Sequence, residues 1–176
     1  MIITVQFLTD WHCSSGLTGG PEVDSTVAKD KNRFPYIPGR TLKGLLRDNA
    51  HMIATLTGNT EWETFMQNVF GTATDKNSDE GVQGKAIFSN ATLSQQLSQH
   101  LLDNPSQVPL LYRTQAFTRI DDNGIAVDKS LRSMEYVIPL SVSATIEGLT
   151  NEESEKMALL AKNIKRLGLG RNRGFG

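Results

Sequence analysis

The sequence has a single cysteine, no long hydrophobic run and almost no net charge. With Cys13 alone, the 176-residue chain can form neither an internal disulfide nor a cysteine-rich zinc site. No apolar run approaches the roughly 20 residues that cross a bilayer, and the first residues lack the basic start and apolar core of a signal peptide. We therefore expect a protein of a reducing compartment, the cytoplasm, with no membrane partner.

Basic residues are concentrated in two segments of the chain. The formal net charge is −1, yet residues 31–47 and 162–176 each contain five basic residues and no acidic one. These segments hold ten of the 18 basic residues, which leaves eight elsewhere against 19 acidic residues. Two concentrated positive segments are typical of phosphate binding when they meet in space.

Hydrophobic periodicity predicts a mixture of helices and strands. The predicted elements begin with a strand over residues 2–8, an irregular stretch over 10–39, a helix that follows Pro38-Gly39 with Thr41 as an early cap, and a helix over 61–69. After them come a strand over 85–93, a hairpin over 112–136 around the turn Asp121–Gly124, a strand over 137–146 and a helix capped by Asn151. This order resembles a split βαβ unit, so we predict a single α+β domain over residues 1–176 with a ferredoxin-like (RRM-like) fold. Its last strand would follow Gly176, so we expect the sequence to be part of a longer or split protein.

Two motifs combine basic residues with backbone donors. Residues 34–47 aim a helix N-terminus and the cations Arg40, Lys43 and Arg47 at one place, which favours anion binding. The alternative is an ordinary solvated helix face whose buried side carries Leu42, Leu45, Leu46, Ile53 and Leu56. Residues 168–176, GLGRNRGFG, follow a helix, which excludes a dinucleotide-binding loop. They suit a sugar–phosphate backbone, and a flexible tail is the alternative.

In sequence, PYIPGRTLKGLLRD and GLGRNRGFG resemble the RAMP superfamily (repeat-associated mysterious proteins) of CRISPR systems. TDWHCSSG, VDSTVAKD and FTRIDDNGIAVDKSLRSMEYVIP resemble backbone subunits of type III effector complexes, especially those of the type III-D branch. The resemblance implies that copies of the chain stack along a guide RNA (crRNA), and that the hairpin is the family's thumb, which wedges between bases. The implied partners are the guide, a complementary target RNA, other RAMP subunits and the large subunit of the complex.

The resemblance also implies a set of site residues. Ile120 and Ile125 are the thumb candidates. The guide-binding candidates are His12, Arg40, Lys43, Arg47, Arg132, Gly168, Gly170, Arg171, Asn172, Arg173 and Gly174. For His12, loop packing is an equal alternative to RNA contact.

Asp24 is the candidate catalytic residue. It matches the position at which related subunits need an aspartate to cut target RNA, six residues before Asp30, which we expect to organise the turn before Phe34. An exposed carboxylate can ligate a divalent metal, Mg²⁺ or Mn²⁺, or align an RNA 2′-hydroxyl. Three alternatives stay open: a catalytically silent RNA-binding subunit, a stand-alone endonuclease that processes guide precursors through His12, and a ferredoxin-like domain that binds no RNA.

Overall fold

The computed structural model describes residues 1–17, 19, 23–72 and 81–164. The predicted Gly-rich segment, residues 168–176, lies outside them. The helices and strands, in chain order, are β1 (Ile2–Gln6), α1 (Gly39–Thr57), α2 (Thr60–Phe70), β2 (Ile87–Phe88), α3 (Gln95–Asp103), a 3₁₀ helix (Pro105–Leu111), β3 (Tyr112–Phe117), β4 (Arg132–Val137), β5 (Ser141–Glu147) and α4 (Asn151–Asn163). The mixed α+β architecture predicted from the sequence is confirmed. Within the described ranges, no helix has the length and apolar character needed to span a membrane.

The described part of the chain divides into two compact units, and the first comprises residues 1–4, 37–72, 81–91 and 143–164. Its strands belong to a sheet of order β1-β5-β2, in which β2 pairs antiparallel with β5. The most deeply buried apolar side chains of this unit are 0 or 1% exposed: Ile37, Leu42, Leu46, Ala50, Val69, Ala91, Ile146, Met157 and Leu160.

Helix α1 begins where the chain comes close to the segment after β2. A Cβ atom at Gly39 would overlap the carbonyl oxygen of Phe88, so glycine is required there, and the Gly39 N–H donates to Asn90 Oδ1 at 2.9 Å. Pro38 occupies the cap position without a side-chain hydrogen bond. The predicted cap, Thr41, is wrong, because it lies inside the first turn and its own N–H donates to the Pro38 carbonyl.

The apolar face of α1 is confirmed over the first half of the helix. Leu42, Leu45 and Leu46 are buried, as their helical spacing predicts. Ile53 is half-buried, but Leu56 is 77% exposed, which contradicts its predicted place in the core. Leu56 lies in the last turn of α1. A side chain on the same helix face as the core leucines is buried there only if another element packs over that turn.

Among the described residues, the second unit comprises 5–17, 19, 23–36 and 92–142, and its main feature is the hairpin β3–β4. The two strands pair antiparallel from Tyr112 opposite Val137 to Phe117 opposite Arg132. Beyond them, Asp121 Oδ1 accepts hydrogen bonds from the N–H groups of Asn123 and Ile125, which closes the turn. A hairpin therefore lies where the sequence predicted one, while its role as a thumb stays a prediction.

Two predicted strands differ from the structure. The strand over 137–146 is split, because Val137 ends β4 and Ser141 starts β5, with Pro139, which has no N–H to donate, between them. The alternation within β5 is confirmed, since Val142, Ala144 and Ile146 are all buried. The strand over 85–93 is reduced to two residues, Ile87–Phe88.

Helix α4 is capped one residue earlier than predicted. Thr150 Oγ1 accepts from the Glu153 N–H at 3.3 Å, and Glu153 Oε2 accepts from the Thr150 N–H at 2.8 Å, which together form a capping box. Asn151, the predicted cap, is instead the first helical residue. Burial alone would raise the pKa of Glu153, but hydrogen bonds from Lys85 and Thr150 outweigh it and lower the pKa.

The capping box predicts the effects of two neighbouring alanine substitutions. Thr150→Ala removes the acceptor for the Glu153 N–H and should lower the free energy of unfolding by about 1 kcal/mol. Asn151→Ala, the matched control, should leave it nearly unchanged. Denaturant unfolding of the purified variants measures both values, and a larger loss for Asn151→Ala would contradict this cap. Because the folded-state pKa of Glu153 is lowered, its contribution is present at neutral pH and is lost in acid, so the difference between wild type and Thr150→Ala should shrink as Glu153 protonates.

Candidate nucleic-acid interface

The cations of α1 form a positive face in the first unit, unpaired among the described residues. Arg40 and Arg47 are exposed and Lys43 is half-buried, at the helical spacing that places them on one side. Within the described ranges, no ion pair includes any of the three, whereas Lys85 and Lys156 of the same unit are paired with glutamates. The first turn of α1 contains no acidic residue, so the positive end of the helix dipole adds to these charges. The arrangement suits phosphate groups.

The candidate catalytic residue lies beside β4 in the second unit. The Asp24 N–H donates to the Ser133 carbonyl at 2.9 Å, and Asp24 Oδ2 accepts from the Ser133 N–H at 2.8 Å. Ser25 continues this pairing through a parallel bridge to Met134, and its carbonyl accepts from the Glu135 N–H at 3.0 Å. Asp24 is exposed, and its Oδ1 makes no hydrogen bond to the described part of the chain. The structure thus fixes the carboxylate at one oxygen and leaves the other available.

Glu135 holds the residues that follow Asp24. Its Oε2 accepts from the Val27 N–H at 3.0 Å, and its Oε1 pairs with Lys29 Nζ at 2.7 Å. Lys29 Nζ also lies 4.1 Å from the ring centroid of Tyr112, within range of a cation–π contact. Burial is the main cause that raises the pKa of Tyr112, and the negative charge of Glu135 raises it further. This side chain therefore stays neutral at the base of the hairpin.

His12 is buried and hydrogen-bonded at both ring nitrogens. Nδ1 lies 2.7 Å from the carbonyl oxygen of Glu135, and Nε2 lies 3.2 Å from Ser25 Oγ. Because a carbonyl oxygen only accepts, Nδ1 is the donor to Glu135, and in a neutral ring Nε2 would then accept a hydrogen bond from the Ser25 hydroxyl. The ring also makes a tilted contact with Tyr136 at 5.7 Å between centroids. Of the two roles predicted for His12, this position favours packing, and its contact with RNA stays a prediction.

Asp30 has the structural role expected from the sequence. Its Oδ1 accepts from the N–H groups of Asn32 at 2.9 Å and Phe34 at 2.8 Å. Its own N–H donates to the Phe34 carbonyl, so both backbone and side chain close the turn before Pro35. The expectation that Asp30 organises this turn is confirmed.

The predicted site residues fall into three groups. Arg40, Lys43 and Arg47 belong to the first unit, and His12, Asp24, Ile120, Ile125 and Arg132 belong to the second. At the hairpin tip, Ile120 is 60% and Ile125 is 64% exposed, and Arg132 is exposed at the start of β4. The third group lies outside the described residues: Gly168, Gly170, Arg171, Asn172, Arg173 and Gly174.

Sequence reasoning missed Ser25, Lys29 and Glu135. Ser25 and Lys29 are close to Asp24 in the chain, but Glu135 is about 110 positions away, and only the pairing of the loop with β4 brings them together. For metal binding, the described residues include no group of three histidine, cysteine or acidic side chains. A Mg²⁺ ion is commonly held by one or two carboxylates together with phosphate oxygens and water, so Asp24 fits such an ion only together with bound RNA.

Comparison with known proteins gives the family. The model of the RAMP superfamily matches residues 4–176, and the chain therefore belongs to this superfamily. No curated protein sequence matches significantly. A chain of the type III-B Cmr-beta structure bound to cognate target RNA superposes with a TM-score of 0.62 and 14% identity, covering 89% of this chain and 86% of its own. A chain of the apo-state type III-B Cmr-beta structure superposes with a TM-score of 0.64 and 12% identity, covering 98% of this chain and 92% of its own. At this identity the likeness concerns the fold.

Proposed function

We propose that the chain is a guide-RNA-binding backbone subunit of a type III CRISPR effector complex. The observation that carries the proposal is the unpaired cationic face of α1 within a domain of the RAMP superfamily. The two Cmr-beta structures of similar fold support it, because one of them is bound to cognate target RNA. The proposed partners are crRNA, complementary target RNA, other RAMP subunits and the large subunit, in the cytoplasm.

The finer assignments have separate support. The type III-D branch rests on the motifs at residues 9–16 and 23–30. The ferredoxin-like fold is supported by the sheet order β1-β5-β2, with α1 after β1 and α4 after β5, as three strands of a split βαβ unit would give. The exposed Ile120 and Ile125 support the thumb. The Gly-rich segment, residues 168–176, is assigned to the guide backbone from its composition and motif alone.

Arginine and lysine on α1 would bind the guide without reading its sequence. Contacts to phosphate position a nucleic acid and carry no base information, which suits a subunit that must accept interchangeable guides. The exposed Arg40 and Arg47 can reach phosphates without first breaking an ion pair to another described residue. Binding of this kind is strongly dependent on salt concentration.

Neutralising the two exposed arginines of α1 should weaken guide binding equally for unrelated guide sequences. Arg40→Gln with Arg47→Gln should lower the slope of log K against log[salt] by about 1.4, since each contact to a single strand contributes about 0.7. Lys85→Gln with Lys156→Gln is the matched control, because it removes the same charge from cations that already have glutamate partners. Guide binding by the complex across salt concentrations measures both, and equal slopes for the two double variants would contradict the proposed interface.

The second part of the proposal is that Asp24 takes part in cutting the target RNA. In this reaction, the 2′-oxygen forms a bond to the adjacent phosphorus, the bond from phosphorus to the 5′-oxygen breaks, and the 2′-hydroxyl proton leaves while the 5′-oxygen gains one. Asp24 Oδ1 is available to accept and orient the 2′-hydroxyl, while Oδ2 remains bound to Ser133. A divalent ion, when bound, would supply charge stabilisation at the phosphate, with Asp24 as this chain's ligand.

The amide variant of Asp24 separates catalysis from folding. Asp24→Asn keeps an oxygen that can accept from the Ser133 N–H and removes the charge. We expect target cleavage in the assembled complex to fall about a hundredfold or more while guide and target binding persist. Asp103→Asn, at the exposed end of α3 and outside the hairpin, makes the same change and should cut at the wild-type rate. Single-turnover cleavage measures this, and wild-type cutting by Asp24→Asn would remove the assignment.

The alternatives predict different outcomes, the first in this experiment and the second with the isolated chain. A catalytically silent subunit would give no cleavage even with wild-type Asp24. A stand-alone processing endonuclease would cut precursor RNA as an isolated chain, with His12 as general acid or base. The burial of His12 and its two internal hydrogen bonds do not favour that role.

A further inference from the structure

A closed ring of three hydrogen bonds lies directly beside Asp24. The Glu135 N–H donates to the Ser25 carbonyl at 3.0 Å, His12 Nδ1 donates to the Glu135 carbonyl at 2.7 Å, and Ser25 Oγ is hydrogen-bonded to His12 Nε2 at 3.2 Å. The ring therefore returns to the residue at which it starts. Ser25 is held through its backbone and its side chain at once, and the next residue toward the N-terminus is Asp24.

We propose that Ser25 and His12 are positioning residues for the Asp24 carboxylate. This inference rests on the proposed cleavage of target RNA by Asp24. Asp24 itself is bound to one residue of β4, Ser133, through its N–H and Oδ2. Two bonds to a single residue fix the distance of the carboxylate from β4 but leave rotation about that contact. The ring at Ser25 supplies a second point of attachment, at Glu135, and removes that freedom.

In the neutral form of His12, the Glu135 carbonyl sets the positions of the protons in this ring. The Glu135 carbonyl requires the proton of His12 on Nδ1, and this leaves Nε2 as the acceptor for the Ser25 hydroxyl. Each of the three bonds therefore has one donor and one acceptor. His12 is 7% exposed, so water competes little for these three hydrogen bonds. A rigid support of this kind matters for catalysis because a displacement of about 1 Å can lower a rate a hundredfold.

The competing explanation is that the serine hydroxyls anchor the loop and have no particular relation to Asp24. Ser15 provides the comparison, because its Oγ lies 2.8 Å from Thr26 Oγ1 and accepts from the Leu17 N–H at 3.0 Å. Ser15 thus bridges the same two stretches of loop that Ser25 and His12 bridge. It is not part of the ring, so its loss should leave the position of Asp24 unchanged.

A double-mutant cycle in the assembled effector complex tests the proposal. The variants are Ser25→Ala, His12→Asn, which keeps a donor for the Glu135 carbonyl but loses Nε2, and the two together. We expect each single variant to lower the single-turnover cleavage rate about tenfold while target affinity changes less than twofold. The double variant should lose no more than either single one, because all three break the same ring. Ser25→Thr, which retains the hydroxyl, should recover the rate.

Several outcomes would overturn the inference. It fails if Ser25→Ala cuts at the wild-type rate, if Ser15→Ala loses as much as Ser25→Ala, or if the two single losses multiply in the double variant. A loss of target affinity equal to the loss of rate would also contradict it. Asp24→Asn, measured in parallel, separates a failure of the positioning role from a failure of the proposed catalytic role of Asp24. If it is inactive while Ser25→Ala is fully active, only the positioning role is wrong, whereas wild-type cutting by Asp24→Asn or no cutting by the wild type overturns both.

Discussion

The pairing of residues 24–27 with strand β4 is the interaction on which the candidate catalytic site depends. β4 is hydrogen-bonded to β3 along one edge, and Asp24, Ser25 and Val27 bind its other edge through Ser133 and Glu135. Asp24 and Ser25 thereby act as a short added strand beside β4. A carboxylate on an irregular loop would sample many positions, whereas this one is tied to the backbone of a regular strand.

This pairing gives β4 two structural roles within the second unit. At one end, Arg132 begins the strand below the exposed hairpin tip, and at Ser133 and Glu135 the strand holds the Asp24 segment. A thumb and a catalytic carboxylate on one strand would have a fixed separation along the RNA. That is the physical requirement for a cut at a regular position relative to each displaced base.

In the first unit, some basic side chains are paired with glutamates and others are not. Its lysines Lys85 and Lys156 lie within 2.9 Å of glutamate oxygens, while the cations of α1 have no such partner within the described residues. Exposed ion pairs contribute little to stability, so leaving the α1 cations unpaired has a small energetic effect on the fold. It leaves a positive face to which RNA phosphates can bind. The near-zero total charge conceals this separation.

Most features that depend on local sequence were predicted, with the cap of α4 and helix α3 as exceptions, whereas contacts that depend on distant pairing were not. The buried face of α1 and the turn at Asp30 follow from spacing and side-chain chemistry over a few residues. The cap of α4 was missed by one position, because Thr150 and Asn151 are both good caps and only the reciprocal bond with Glu153 decides between them. α3 was missed because its glutamine-rich sequence buries only one leucine, Leu101. The ring around His12 could not be predicted, because it joins residues more than 100 positions apart.

The most direct test of guide binding is the nucleic acid that co-purifies with the assembled complex. Because the unpaired cations of α1 would hold any guide by its backbone, we expect short RNAs of varied internal sequence that share one repeat-derived end. RNA of random length without a common end, or no RNA at all, would contradict the central claim that this chain is a guide-binding subunit.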